Sequence, residues 1–169
     1  MGSESGSNSN LESNNNYYGK WTDDKCECKD GDKYVFDDDK VTDIYWRSTY
    51  LVRDSIRNLS TAGRIITLGI SEIWCKGNSL THDYVEARVE CSKCGMEKWV
   101  TFEYGCSGKS WRVGYYSKCY SKNGSINSCS RNFKSILDKY NSLKGFNGED
   151  YRFTSNNCKT FAEKFFDIL

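Results

Sequence analysis

The chain has no apolar segment approaching the roughly 20 residues that a bilayer-spanning helix requires, which argues against a transmembrane anchor. It also lacks an apolar signal-peptide core after Met1, so a reducing compartment is expected, cytoplasmic or nuclear. Charge of one sign is missing as well. Twenty-four Lys and Arg against 23 Asp and Glu leave +1, which argues against a nucleic-acid binder and against a polybasic membrane surface. Proline is absent altogether, and no functional argument follows from that. Histidine occurs once, as His82, so any chemistry that needs an imidazole has a single candidate.

Cysteine, by contrast, is plentiful. Nine cysteines would suggest disulfides in a secreted chain, but an odd count without a leader predicts free thiols. Residues 1–16 are Ser, Asn, Gly and Glu with one Leu and cannot bury anything, so they are expected to be a disordered tail. The remainder, 17–169, fits one domain. The acidic run Asp37-Asp38-Asp39 reads as solvated loop.

Ile44, Leu51, Val52, Ile56 and Leu59 predict a helix from Asp43 to Leu59, closed by Gly63, and Arg64 to Ile70 reads as a buried strand. Lys76 to Ser79 is expected to turn. His82 to Cys91 and Met96 to Tyr104 then alternate, and Ser92-Lys93-Cys94-Gly95 joins them as a hairpin. If Ser92 opposes Gly95, His82 faces Gly105, and Glu103 is its diagonal neighbour on the same face. Trp111 to Tyr120 is a further strand candidate, and Ser121 to Ser128 reads as loop. Phe133, Ile136, Leu137, Tyr140 and Leu143 mark an amphipathic helix ended by Gly145, and a last helix is expected to begin near Asn156. The fold class is α+β, an antiparallel sheet packed against helices.

Cys158 is where a reactive thiol would be made. Asn156 or Ser155 would cap the last helix, and Phe161, Ala162, Phe165 and Leu169 define its buried face. A thiol in the first turn meets the positive end of the helix dipole, which favours thiolate. His82 would be its base, Glu103 would hold the imidazole, and the first backbone N–H groups, that of Cys158 included, would form an oxyanion hole. The alternative is ordinary: a cysteine on an apolar helix face is commonly a small core residue. The chain would then be a catalytically silent module that binds a protein partner.

The stretch Tyr151-Arg152-Phe153-Thr154-Ser155-Asn156-Asn157-Cys158-Lys159-Thr160-Phe161-Ala162, with His82 far upstream, resembles the circularly permuted branch of the NlpC/P60 papain-like superfamily. That branch includes lecithin:retinol acyltransferase-like proteins and PPPDE peptidases. The resemblance spans about half the chain, from His82 onward. It implies a papain-like fold and a covalent thioester at Cys158 formed from an amide or ester, with a peptide, isopeptide or lipid-acyl substrate and no required cofactor. The chain departs from the acyltransferase-like pattern in having no second histidine and in carrying Thr160 two residues after the cysteine, where histidine is frequent.

Cys91-Ser92-Lys93-Cys94-Gly95 is a second motif. Two cysteines with two residues between them, followed by glycine on a hairpin tip, suit half of a structural zinc site. The other two ligands would be Cys26 and Cys28, or two of Cys75, Cys106, Cys119 and Cys129.

Overall fold

The computed structural model describes residues 21–22, 26, 28, 35–50, 81–116, 119, 121–152 and 154–169. In chain order the elements are β1 (Trp21–Thr22), β2 (Lys40–Tyr50), β3 (Thr81–Glu90), β4 (Glu97–Gly105), β5 (Gly108–Val113), β6 (Tyr115–Tyr116), β7 (Ser121–Ile126), β8 (Arg131–Asn132), α1 (Phe133–Ser142) and α2 (Cys158–Asp167). The expected tail, the helix beyond Tyr50, the strand at 64–70, the turn at 76–79 and Cys75 lie outside the described residues. The main sheet is antiparallel in the order β5-β4-β3-β2-β7, with β8 also pairing with β2, while β1 and β6 form a separate two-stranded pair.

The β3–β4 hairpin has the expected register. Glu90 lies opposite Glu97 and Val85 opposite Phe102, which places Ser92 against Gly95 at the tip. Val85, Ala87 and Val89 on β3, with Val100, Phe102 and Tyr104 on β4, are all fully buried. They meet Phe133, Ile136 and Tyr140 of α1 and Phe161, Ala162 and Phe165 of α2. Phe102 is a hub, its ring centroid 5.3 Å from that of Tyr140 and 5.1 Å from that of Phe165.

Two expectations are corrected. Residues 40–50 form a strand, where helix was expected from Asp43. Across this stretch Ile44, Trp46 and Ser48 alternate with Tyr45, Arg47 and Thr49, and β3 on one side and β7 and β8 on the other use the backbone groups. Aromatic and β-branched residues with partner strands on both edges favour the pleated form, and the helical spacing rested largely on residues beyond it. Residues 121–126 are strand, where loop was expected. Ser-Lys-Asn-Gly-Ser-Ile has little apolar signal, and among the described strands β7 is the last of the sheet, a place where polar side chains suit the strand. Gly124 leaves room there for a neighbouring ring. A Cβ would come within 2.8 Å of the Phe166 ring, which packs over it.

The candidate strand at 111–120 divides within the described part. β5 starts earlier, after the tight turn at Cys106-Ser107, and ends before Gly114, whose φ of +116° redirects the chain to β6. Asp39 also departs from the solvated-loop reading. It is fully buried, 2.6 Å from the equally buried Lys98 ammonium, and accepts hydrogen bonds from the Phe36 and Ser92 backbones.

Candidate active site and cysteine cluster

The final helix begins one residue later than its sequence predicts. Asn157, not Asn156 or Ser155, is the cap, its side-chain oxygen accepting the Thr160 N–H at 3.1 Å. Asn156 instead donates from its amide to the carbonyls of Gly145 and Asp150 at 2.8 and 2.9 Å. It thereby ties the preceding loop to the cysteine turn. Cys158 is then the first helical residue, buried, with its N–H outside the intrahelical ladder.

The sheet receives this thiol where two strands part. β2 and β3 stay paired to Tyr50 opposite Thr81, whereas the β3–β4 pairing ends at Val85 opposite Phe102. Beyond that point the Asp83 backbone N–H turns to the Cys158 sulfur, and His82 and Cys158 hydrogen-bond to each other. His82 Nε2 lies 3.0 Å from Glu103 Oε2, the diagonal neighbour that the register predicts. With Nε2 so engaged, Nδ1 is the ring nitrogen left for the thiol. The side chain of Asp83 points to the other face, where it accepts from Trp46 Nε1 at 3.0 Å and Ser48 Oγ at 2.9 Å.

The electrostatics follow from these contacts. Burial opposes a charge on His82, but the hydrogen bonds and opposite charges of Cys158 and Glu103 outweigh it and lift the imidazole to about 10. Burial also opposes the Cys158 thiolate. His82 and the Asp83 N–H prevail, with the Asp83 carboxylate counteracting in part, and the thiol is lowered. Glu103 is held down at about 2 against burial, chiefly by His82, then by Arg112 and Tyr116. All three shifts run in the direction that favours an imidazolium between a thiolate and a carboxylate.

Two members of this network were not among the residues singled out from sequence. Tyr116 donates its hydroxyl to Glu103 Oε2 at 2.7 Å, and Arg112 Nη2 lies 2.7 Å from that hydroxyl and 3.3 Å from Glu103 Oε1. A signal for Arg112 existed. Gly105 and Gly108 flank a two-residue turn, and folding the chain there sets Thr101 opposite Arg112, on the face of Glu103. Tyr116 had none, because its position depends on the break at Gly114.

At the opposite end of β3 the sulfurs of Cys26, Cys28, Cys91 and Cys94 lie within 4.8 Å of one another, with Cys26 and Cys94 3.6 Å apart. Tetrahedral thiolates around zinc at about 2.3 Å would stand about 3.8 Å apart, so the spacing fits. The Lys93 and Cys94 N–H groups point at the Cys91 sulfur, and Gly95, at φ +71°, returns its N–H to the Cys91 carbonyl at 2.8 Å. Against burial, these N–H groups and the neighbouring thiols lower Cys91 to about 7, while Cys94 and then burial push Cys28 up to about 12. A divalent cation at the cluster would favour the thiolate form of its ligands. Cys106, Cys119 and Cys129, the other candidate ligands among the described residues, stand outside the cluster.

Among the described residues no helix is long and apolar enough to cross a membrane. The chain matches no protein-family model, no curated protein and no solved structure.

Proposed function

We propose that the protein is a cysteine-dependent hydrolase or acyltransferase of the permuted papain-like kind, acting on an amide or ester in a reducing compartment. The observation that carries this reading is the unbroken contact from Cys158 through His82 to Glu103, with the thiol on a helix N-terminus. The resemblance of the Asn156-Asn157-Cys158 segment to that superfamily supports it independently.

In the reaction, the Cys158 thiolate attacks the substrate carbonyl carbon and forms a C–S bond, and the carbonyl electrons move to oxygen. The Cys158 N–H at the open end of α2 donates to that oxyanion. As the tetrahedral species collapses, the bond to the leaving nitrogen or oxygen breaks, and His82 delivers its proton there. A thioester remains. Neutral His82, its tautomer set by Glu103, next takes a proton from water or from an acceptor hydroxyl or amine. That nucleophile attacks the thioester carbonyl, the C–S bond breaks and the thiolate returns. In the same proposal, Cys26, Cys28, Cys91 and Cys94 hold a structural zinc, which would join the segment around residue 26 to the hairpin tip and take no part in the chemistry.

Alkylation by iodoacetamide at neutral pH, followed by peptide mass spectrometry, tests the site. Cys158 is expected to react much faster than exposed Cys106 or Cys119, and His82→Ala to slow it by about 10²-fold or more. A Cys158 rate no higher than that of Cys106, unchanged in His82→Ala, would instead support the silent, partner-binding module.

A further inference from the structure

The mechanism uses the His82 charge to hold Glu103, yet that charge disappears midway. When the imidazolium has protonated the leaving group, Glu103 is left as a half-buried anion beside a neutral ring. Burial then favours its protonation, and a protonated Glu103 would turn a donor toward Nε2 and scramble the tautomer on which the second half-reaction depends. Something other than His82 must keep the carboxylate ionised at that stage.

Among the described residues, the groups that face Glu103 are His82 from β3, Arg112 from β5, Tyr116 from β6 and, within electrostatic reach, Tyr140 from α1. Of these only Arg112 carries a positive charge that no step of the reaction removes. Its guanidinium is donor-only. Its 2.7 Å bond therefore occupies the Tyr116 hydroxyl oxygen as acceptor, and the hydroxyl proton goes to Glu103 Oε2, also at 2.7 Å. Tyr116 is itself fixed: its backbone N–H donates to buried Glu86 at 3.0 Å, and its ring packs on Tyr84 with centroids 4.6 Å apart.

We propose that Arg112, acting directly and through Tyr116, is a positioning residue that keeps Glu103 ionised and aimed at Nε2 while His82 is neutral, the state in which the acyl-enzyme is resolved. The inference rests on the thiol-hydrolase reading for its place in the cycle. The control of Glu103 by Arg112 can be measured without turnover.

The single histidine makes the test direct. In Cys158→Ser protein, where no thiolate supports the imidazolium, ring-labelled histidine shows one imidazole by NMR, and its titration reports the His82–Glu103 pair alone. Removing a cation and a donor from Glu103 must raise the proton affinity of the pair. Arg112→Met and Tyr116→Phe in this background are expected to move the His82 midpoint upward by about half a pH unit or more, a size reduced by the partial exposure of Arg112. Arg112→Lys, which keeps charge and a donor, is expected to restore most of the difference. Midpoints unchanged or lowered in both variants, with folded spectra, would overturn the proposal. A slow Cys158 in otherwise unaltered protein would overturn the enzyme reading instead, so the two failures are distinct.

Discussion

At the scale of single residues, the Cys158–His82 pair has a consequence for stability as well as for chemistry. The ordinary imidazole value is 6.5 and His82 is raised to about 10, so its contribution is complete below pH 6.5 and is lost as pH rises through about 10. The ordinary thiol value is 9.0 and Cys158 is lowered, so its contribution is complete above pH 9.0 and is lost as pH falls through the lowered value. Between 6.5 and 9.0 the slopes cancel, since the folded pair holds one proton on His82 and the unfolded pair holds one on Cys158. Chemical denaturation is therefore expected to show a flat advantage of the native protein over the Cys158→Ser, His82→Gln double variant in that window, falling on both sides. A neutral folded pair would carry the same proton count, so the charged form needs its own measurement. At pH 7, Cys158→Ser should remove one thiolate's ultraviolet absorbance, and no loss would mean that the pair is held uncharged. Cys158, His82 and Glu103 were legible in the sequence because a helix start, a lone imidazole and a hairpin register are local features. Arg112 and Tyr116 needed the next turn and a backbone break, which local pattern does not specify.

At the scale of elements, legibility followed the strength of the period. The β3–β4 hairpin and α1 carry clean alternation or a clear apolar stripe, and both stand where sequence placed them. β2 and β7 do not: one is a central strand with mixed faces, the other a polar edge. The boundary of α2 moved by one residue because three consecutive candidates, Ser155, Asn156 and Asn157, are all able to cap, and the choice is made by the clamp that Asn156 forms on Gly145 and Asp150. Asn157→Ala is expected to cost about 1 kcal/mol, a fall in melting temperature of about 2–4 °C. It should also slow Cys158 alkylation, since a frayed first turn moves the sulfur away from the Asp83 N–H. A variant that melts normally and alkylates at the native rate would show that the cap does not hold the Cys158 thiol.

At the scale of the whole molecule, β3 is a beam with a different site at each end. His82 and Cys91 are nine positions apart along an extended chain, about 30 Å at the usual rise, so the cysteine cluster cannot touch the Cys158–His82 pair. A metal held there would act through topology. Cys26 and Cys94 are 68 positions apart in sequence, and a metal joining them closes that loop in the folded state only. The sequence offered Cys26 and Cys28 among several partners for the hairpin pair, and the pairing of residues 21–22 with β6 helps explain why the early pair stands near the sheet. Asp39 holds both Lys98 and the Ser92 N–H beside the hairpin tip, so the tip retains support when metal is removed. From this arrangement, metal analysis of purified protein is expected to find one zinc per chain. A strong chelator, or Cys94→Ser, should lower the melting temperature, because binding free energy at such a site adds to folding free energy. Below the melting transition the alkylation rate of Cys158 should hold, since nothing at the far end of β3 has moved. Protein that contains no zinc after refolding with the metal, with a melting temperature indifferent to chelator, would sink the metal site. A Cys158 rate that collapses on chelation while the chain stays folded would mean that the two ends of β3 are mechanically coupled.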